Sequence, residues 1–379
     1  MNGKNSSDLH WLAPLDGLRA VAAITVLADH THLLPAYAGS IAVMLFFTLS
    51  AFLLTRPFVD SNSTAYSWRG AASYFIRRAF RIYPMLIVFV CSLALLSGGG
   101  KAVVYRNLIH FKGDGHLWSV TQELLFYVLL PVIALLLRAP RLHSAIVIAV
   151  LIIGAALVDK FLTTDLVSLP ANGSFQPFYL SPFLIGMASA FAAPRAKALA
   201  ETHLFGRRLS NAIAIGVAVF VGESVYMYPL GGSTSHLSLS FGVLLLLLWT
   251  QPTNFLSRAL SIRSLRLIGV AGFSFYLWHW IPVTLWVSPW IPPADAPLSW
   301  LHVFAFGFSL ICTVVLSSIT LRLVEKPGIA LGAYIAEWLN AASIPAALRP
   351  NYPSEKRADS GACPSPLQND RPRGWPSAR

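Results

Sequence analysis

The chain is dominated by long apolar stretches that are separated by short polar connections. A helix that crosses a bilayer needs about 20 predominantly apolar residues, because the hydrocarbon core is about 30 Å thick and each residue advances a helix by about 1.5 Å. The sequence predicts an all-α polytopic membrane protein with about ten transmembrane helices. The stretches occupy roughly residues 16–36, 38–57, 82–99, 118–138, 143–159, 175–193, 209–228, 236–250, 266–287 and 300–323.

The scarcity of charge supports this prediction. Only 12% of the 379 residues are charged and 55% are hydrophobic, whereas a soluble domain usually carries about 25% charged residues. The formal net charge of +12 would suggest a nucleic acid as the partner of a soluble protein. Here the basic residues lie between apolar stretches, so we expect the lipid bilayer, and no nucleic acid, as the partner. The three cysteines, Cys91, Cys312 and Cys363, suggest neither a disulfide framework nor a metal site.

The basic residues are distributed unequally between alternate connections. An excess of Lys and Arg on the cytoplasmic side is the usual rule for multi-pass proteins. The pattern predicts cytoplasmic N- and C-termini and a location in the cell (inner or plasma) membrane. With that topology the inner connections hold Arg56, Arg69, Arg77, Arg78, Arg81, Arg138, Arg141, Arg195, Lys197, Arg207, Arg208, Arg258, Arg263 and Arg266, and the outer ones hold only Lys101, Arg106, Lys112 and Lys160.

The two ends of the chain differ from its apolar centre. Residues 1–15 are polar and predict a short cytoplasmic segment without a cleavable signal peptide. Residues 16–328 predict the transmembrane domain. Residues 329–346 mix apolar and polar side chains, which is typical of an interfacial helix. Residues 347–379 are rich in Pro, Ser and charge and predict a disordered cytoplasmic tail.

Ionisable side chains inside apolar spans are costly and mark candidate functional sites. The first span contains Asp16, Arg19 and His30. Arg19 and His30 are separated by about three helical turns plus roughly 20°, so they share a helix face at a rise of about 16 Å, and Asp16 lies near the same face. The alternative is a snorkelling arginine and an interfacial histidine without a catalytic role.

An arginine-rich run precedes the third span. Arg78 and Arg81 are three residues apart and face the same way on a helix. A guanidinium group suits phosphate because it presents a planar fork of donors. The alternative is that these residues only set the topology, although their position inside the start of a helix favours a binding function.

The fourth span contains one carboxylate. Glu123 must be paired, protonated or directed at a cavity, because the bilayer offers no water. Ser119, Glu123 and Tyr127 recur every four residues and form a polar stripe on one helix face. Trp118 at the start of this span is, taken alone, typical of a membrane-interface anchor.

The ninth span contains His279 between two tryptophans, with Tyr276 one turn before it. Aromatic residues near a span end are typical of the interfacial belt. A histidine in the middle of a span suits either a hydrogen-bonded packing role or a catalytic role.

These four places occur together and in a fixed order, and their sequence resembles that of the acyltransferase-3 family of membrane-bound acyltransferases. The resemblance covers about residues 12–328 and departs from the family pattern at Met44, which replaces an Asp, at Ala51, which replaces a Gly, and at Leu124, which replaces the second of two Glu. Many members carry a further C-terminal SGNH hydrolase-like domain, and we expect none here. The matching stretches are LDGLRA at 15–20 with His30, VMLFFTLSAFL at 43–53, RRAFRIYP at 77–84, WSVTQELLFY at 118–127, SFYLWH at 274–279 and VEKP at 324–327.

The resemblance implies an O-acyltransferase that uses acyl-CoA, with acetyl-CoA the most common donor, and that modifies a carbohydrate, a glycan or a macrolide. On that basis Arg78 and Arg81 would meet the CoA phosphates at the cytoplasmic entrance. His30 would act as general base on the acceptor hydroxyl or would carry the acyl group covalently. No metal is implied.

The resemblance gives the other polar residues supporting roles. Arg19 and Asp16 would order the helix face that carries His30, and Glu123 would orient His30 or bind acceptor hydroxyls. Trp118, Ser119, Tyr127, Tyr276 and His279 form the candidate supporting set. The alternative function is a secondary transporter of a sugar or lipid-linked substrate, in which Arg19, His30 and Glu123 form a relay. The lack of an internal repeat argues against the transporter.

Overall fold

The computed structural model describes residues 6–60, 63–138, 144–161, 168–171, 174–177, 179–201 and 206–341. Within these ranges the chain is almost entirely helical. The helices are α1 Ser6–His30, α2 Ala38–Thr55, α3 Trp68–Leu96, α4 Gly100–Val104, α5 Trp118–Arg138, α6 Ser144–Phe161, α7 Leu180–Ala200, α8 Arg207–Met227, α9 Thr234–Thr250, α10 Phe255–Leu260, α11 Arg263–Val270, α12 Gly272–Trp278, α13 Trp300–Thr320 and α14 Lys326–Ala341.

Six helical segments of the described chain are long and apolar enough to cross a membrane. A seventh is added if α11 and α12 count as one bent span, and α9 is apolar but shorter. Each sequence-predicted span overlaps at least one helix, so the prediction of a helical, membrane-spanning architecture is confirmed in this form. The number ten and the cytoplasmic termini stay predictions. The six segments are Ala38–Phe58, Trp68–Leu96, Gly115–Leu137, Ser144–Phe161, Arg207–Leu230 and Trp300–Asn340.

The outer helices carry large apolar side chains on their exposed faces. Ile153 of α6, Val219 of α8 and Ile311 of α13 are more than half exposed. A soluble monomer rarely exposes apolar surface over whole helix faces. This surface therefore suits a lipid environment and agrees with the apolar composition of the chain.

The helix that contains the third predicted span begins earlier in the sequence than predicted. It starts at Trp68 rather than near residue 82, because the Ser67 side chain accepts a hydrogen bond from the backbone N–H of Gly70 and caps the helix. The arginine-rich run is therefore part of the body of α3. Arg78 lies ten residues from the first residue of this helix.

The ninth predicted span, residues 266–287, is broken rather than continuous. Helices α11 and α12 meet at Ala271 with a bend of 70°. A π-helix follows from Pro282 to Val287, where the missing N–H of Pro282 weakens the regular ladder. The apolar pattern of the sequence does not show this break, because the two halves taken together are apolar enough for one span.

A short hairpin lies between α6 and α7 of this otherwise helical chain. Strands β1 Ser168–Ala171 and β2 Ser174–Pro177 pair antiparallel, with Ala171 opposite Ser174. The intervening Asn-Gly dipeptide of the sequence is the strongest short-range signal for a hairpin turn. The span predicted at 175–193 thus begins within a strand, and α7 starts at Leu180.

The core lies around α2, α7 and α9, and α1 packs against α2 and α11. The contacts of α1 with the end of α10 and with α11 are each close enough to need a glycine. A Cβ at Gly17 would overlap with the carbonyl of Leu260, and one at Gly269 would overlap with the carbonyl of Asp16. These contacts fix the position of the turn of α1 that carries Asp16 and Arg19.

The C-terminal helix α14 covers most of the segment 329–346 that the sequence marked as interfacial. It follows α13 within one long apolar segment and packs on α3, where a Cβ at Gly332 would overlap with the Phe80 side chain. Residues 342–346, the predicted tail 347–379 and residues 1–5 lie outside the described residues.

Candidate active site

A cavity of about 250 Å³ lies between α1, α2, α3, α5 and α12. Three guanidinium groups and one carboxylate are among its described lining residues. The sequence-predicted site residues that line it are Arg19, Arg78, Arg81, Ser119, Glu123, Tyr127 and Tyr276. Four helices that are distant in sequence therefore bring most of the predicted polar residues into one space.

The arginines of the cavity differ in their pairing. Nη1 of Arg19 donates to Oδ1 of Asp16 at 2.6 Å, so these two side chains form an ion pair one turn apart on α1. Among the described residues, neither Arg78 nor Arg81 has a hydrogen-bond or ion-pair partner, and the buried Nε of Arg78 is unsatisfied. Two guanidinium groups are thus left to bind an anionic ligand.

Glu123 is held at the cavity wall by two hydroxyl groups. The hydroxyls of Ser50 and Tyr127 each donate to Oε1 of Glu123 at 2.7 Å. The i, i+4 spacing of Glu123 and Tyr127 on α5 makes the second bond possible. Glu123 does not bond to His30, so the interpretation in which it orients His30 is not supported. Its negative charge instead lies in the same cavity as the three arginines.

A second carboxylate lies behind the cavity. Glu325 is 2% exposed, and the hydroxyl of Ser274 donates to its Oε2. Nε1 of Trp278 donates to Thr320 at 2.9 Å. These bonds link α12 to the C-terminal end of α13 and to the π-helix Leu321–Glu325 that follows it. Glu325 belongs to the VEKP motif, but no role was predicted for it from the sequence.

His30 lies at the C-terminal end of α1 and pairs with His279. Nδ1 of His30 is 2.9 Å from Nε2 of His279, and Nδ1 of His279 bonds to the backbone carbonyl of Tyr276. Neither histidine is among the cavity-lining residues. Arg19 and His30 share α1 but belong to two adjacent parts of the site.

Tyr276 separates the cavity from the histidine pair. Its ring lines the cavity, and its backbone carbonyl holds His279. Its hydroxyl donates to the carbonyl of His116 at 2.9 Å and accepts from Ser119 at 2.7 Å. The side chain of Tyr276 therefore lies between a group bound in the cavity and the two imidazoles.

Aromatic rings enclose the histidine pair. Trp280 contacts His30 edge-on, with ring centroids 5.3 Å apart, and stacks on His116 at 4.9 Å. His116 also meets His279 at 5.0 Å, and sequence reasoning missed it, although it stands two residues before Trp118. Trp118 does not line the cavity and packs against other aromatic rings.

The described residues contain no group of three His, Cys, Asp or Glu side chains arranged to hold a metal ion. The site thus consists of a cationic cavity, a carboxylate that is held by two hydroxyls, and a hydrogen-bonded histidine pair. This arrangement suits transfer of an acyl group from an anionic donor, because it offers both anion-binding groups and a base.

Comparisons with known proteins agree with this chemistry. A family model described as "Acyltransferase domain" matches residues 12–322. The chain is 25% identical over 364 residues to the putative peptidoglycan O-acetyltransferase YrhL of Bacillus subtilis, a match that covers 84% of this chain and 55% of that protein. It is 26% identical to the peptidoglycan O-acetyltransferase OatA of Listeria monocytogenes, with 84% and 56% covered.

A similar match is found with O-acetyltransferase OatA of Staphylococcus aureus, which is 24% identical over 355 residues, with 84% of this chain and 57% of that protein covered. The chain spans little more than half the length of these relatives. No solved structure gives a significant match.

Proposed function

Because this chain belongs to the acyltransferase-3 family, we propose that it is an integral-membrane O-acyltransferase that moves an acyl group, most often acetyl, from acyl-CoA to a hydroxyl of a carbohydrate or glycosylated acceptor. The observation that carries the proposal is the position of His30 beside a cavity with two unpaired guanidinium groups. The named activities of the peptidoglycan O-acetyltransferase relatives support acetyl as the group and a glycan as the acceptor.

The donor would occupy the cavity. Arg78 and Arg81 would bind phosphate oxygens of CoA, because charge-assisted bonds from guanidinium forks are the strongest contacts available to that group. The thioester would extend past Tyr276 towards His30. In the predicted topology α3 starts at the cytoplasmic side, so the donor would enter from the cytoplasm.

The imidazole of His30 would act as the general base. The acceptor oxygen attacks the thioester carbonyl carbon while its proton passes to His30. The C–S bond then breaks, and the leaving thiolate takes this proton, so the products are an ester and free CoA. Apolar surroundings would slow the competing hydrolysis of the thioester, because they keep water from the reacting carbonyl.

Glu123 would balance the charge of the cavity. Its bonds to Ser50 and Tyr127 fix one oxygen, so its carboxylate stays opposite the arginines while the donor is absent. The pair of Asp16 and Arg19 would hold the adjacent turn of α1 in place.

The proposal is tested with purified full-length protein in lipid nanodiscs, radiolabelled acetyl-CoA and peptidoglycan fragments, with a macrolide as a second acceptor. We expect acceptor-dependent release of free CoA thiol and a labelled ester, and loss of both in His30→Gln. Absence of thioester turnover with every acceptor, or full activity of His30→Gln, would contradict the proposal. Counterflow of an unmodified sugar by the same protein would favour the transporter.

Direct transfer and a covalent intermediate are distinguished by omitting the acceptor. Label that stays on the protein after denaturation, and that disappears in His30→Gln, would show an acyl-histidine. Direct transfer leaves the protein unlabelled while acceptor-dependent turnover persists.

A further inference from the structure

The contact between His30 and His279 is an in-plane hydrogen bond. Their ring centroids are 5.1 Å apart and their planes differ by only 11°, while the facing nitrogens are 2.9 Å apart. Rings stacked face to face would not bring two nitrogens this close at that centroid separation. The lone pair and the N–H bond of an imidazole both lie in the ring plane, so side-by-side rings give an N–H···N bond near its best geometry.

The direction of this bond follows from the other nitrogen of His279. Nδ1 of His279 meets the carbonyl oxygen of Tyr276, which can only accept a hydrogen bond, so Nδ1 carries the proton. His279 is 1% exposed, and no described carboxylate bonds to it, so burial favours the neutral ring. A neutral ring with a proton on Nδ1 has a lone pair on Nε2. His279 therefore accepts, and Nδ1 of His30 donates.

The consequence concerns the opposite side of the His30 ring. A neutral His30 that donates from Nδ1 has its lone pair on Nε2. No described residue bonds to this nitrogen, and His30 is only half-buried. Trp280 contacts the ring edge-on and restricts its rotation. The base is thus presented with a defined tautomer and a defined orientation.

We propose that His279 is a positioning residue that fixes the tautomer of His30, so that Nε2 of His30 is the nitrogen that takes the proton of the acceptor hydroxyl. This inference rests on the proposed acyltransferase function. During the reaction the proton adds to Nε2 of His30, and the Nδ1–H bond to His279 becomes charge-assisted, which stabilises the imidazolium that forms. His279 thus takes the place that a carboxylate occupies in a serine hydrolase triad, and the backbone carbonyl of Tyr276 holds His279 in that position.

Three substitutions at His279 separate this role from packing. His279→Gln places an amide oxygen near the position of Nε2, so it can still accept from His30. His279→Asn reaches only the position of Nδ1 and keeps the bond to Tyr276, and His279→Phe keeps the ring volume alone. We expect kcat of the Gln variant to stay within about tenfold of the wild type. We expect kcat of the Asn and Phe variants to fall by about 100-fold or more, with KM for acetyl-CoA unchanged within about twofold.

A spectroscopic measurement reports the tautomer without using activity. In protein with ¹⁵N-labelled histidine in lipid nanodiscs, the signals of His30 are identified by their loss in His30→Gln. We expect a protonated Nδ1 and an unprotonated Nε2 for His30 in the wild type and in His279→Gln. In His279→Phe we expect the proton to move to Nε2.

Several results would overturn the inference. They are an unprotonated Nδ1 of His30 in the wild type, an unchanged tautomer in His279→Phe, equal loss or no loss of kcat in all three variants, or a loss that appears in KM instead of kcat. Melting temperatures and size-exclusion profiles of the variants identify loss of folding. If the wild type turns over no acetyl-CoA, the proposed function fails, while the nitrogen spectra still decide the tautomer.

Discussion

The two unpaired guanidinium groups of the cavity give the sharpest test of how the donor binds. Arg78→Gln removes the charge and the fork of donors but keeps a polar side chain on the same face of α3. Arg78 has no hydrogen-bond or ion-pair partner among the described residues. Its removal therefore leaves no orphaned carboxylate, and we expect the folded protein to keep its stability within about 0.5 kcal/mol.

The expected loss can be estimated from the bonds that Arg78 would make. A hydrogen bond to a charged group contributes about 1.5–3 kcal/mol, and 1.4 kcal/mol corresponds to a tenfold change. One lost contact to a CoA phosphate therefore predicts a decrease of about 10- to 150-fold in kcat/KM for acetyl-CoA. Arg78→Lys keeps the charge without the fork, so we expect an intermediate decrease.

The assay uses a second substrate as the internal control. Acetyl-pantetheine carries the same thioester but no phosphate. If Arg78 binds a phosphate, Arg78→Gln reduces kcat/KM for acetyl-CoA and leaves that for acetyl-pantetheine nearly unchanged, which is a coupling energy between the side chain and the phosphates. Release of free thiol is measured for both substrates with the same glycan fragment as acceptor.

One result would refute the reasoning. If Arg78→Gln reduces turnover of acetyl-pantetheine as much as that of acetyl-CoA, the guanidinium acts on the thioester or on the protein and not on a phosphate. Arg81, one turn along the same face, then requires the same reassessment.

Three further predictions follow from the contacts around the cavity. Glu123→Gln keeps the shape of the side chain but removes its charge. We therefore expect an unchanged melting temperature and a decrease of at least about tenfold in acetyl transfer. A fully active variant would contradict the charge-balancing role. Tyr127→Phe removes one of the two bonds to Glu123 and should cost about 1 kcal/mol of unfolding free energy with a smaller loss of turnover, as measured by thermal unfolding and thiol release. Gly269→Ala should destabilise the protein by about 1–3 kcal/mol, because the added Cβ overlaps with the carbonyl of Asp16. The control is Gly307→Ala, whose Cβ meets open space and should not destabilise the protein. Equal melting temperatures of the two variants would refute the close packing of α1 and α11.

Much of the site was predictable because the bilayer makes charge rare. Asp16, Arg19 and Glu123 stand out in apolar segments, and helical periodicity alone places Asp16 one turn from Arg19, where the structure shows an ion pair. The same periodicity places Glu123 beside Tyr127 on α5. These are contacts within one helix, and a period of 3.6 residues determines them.

The contacts between helices were not predictable in the same way. His30 and His279 are 249 residues apart in sequence, and nothing in either segment states which helices are neighbours. Apolar surfaces pack with little sequence specificity, so hydropathy shows that a helix exists but not what it contacts. The bond between Ser274 and Glu325 depends on the same unknown packing.

The break between α11 and α12 connects the predictable contacts within helices with the unpredictable contacts between them. A straight helix over residues 266–287 would keep its own backbone bonds but could not place Gly272 and Tyr276 at the cavity while α11 packs against α1. Irregular backbone at membrane depth is tolerated where protein surrounds it or where it lines a cavity, and both conditions hold here. The bend of 70° separates the helix that packs against α1 from the helix that lines the cavity with Tyr276 and is followed directly by His279. A break that hydropathy does not reveal thus lies next to the segment that brings His279 to His30.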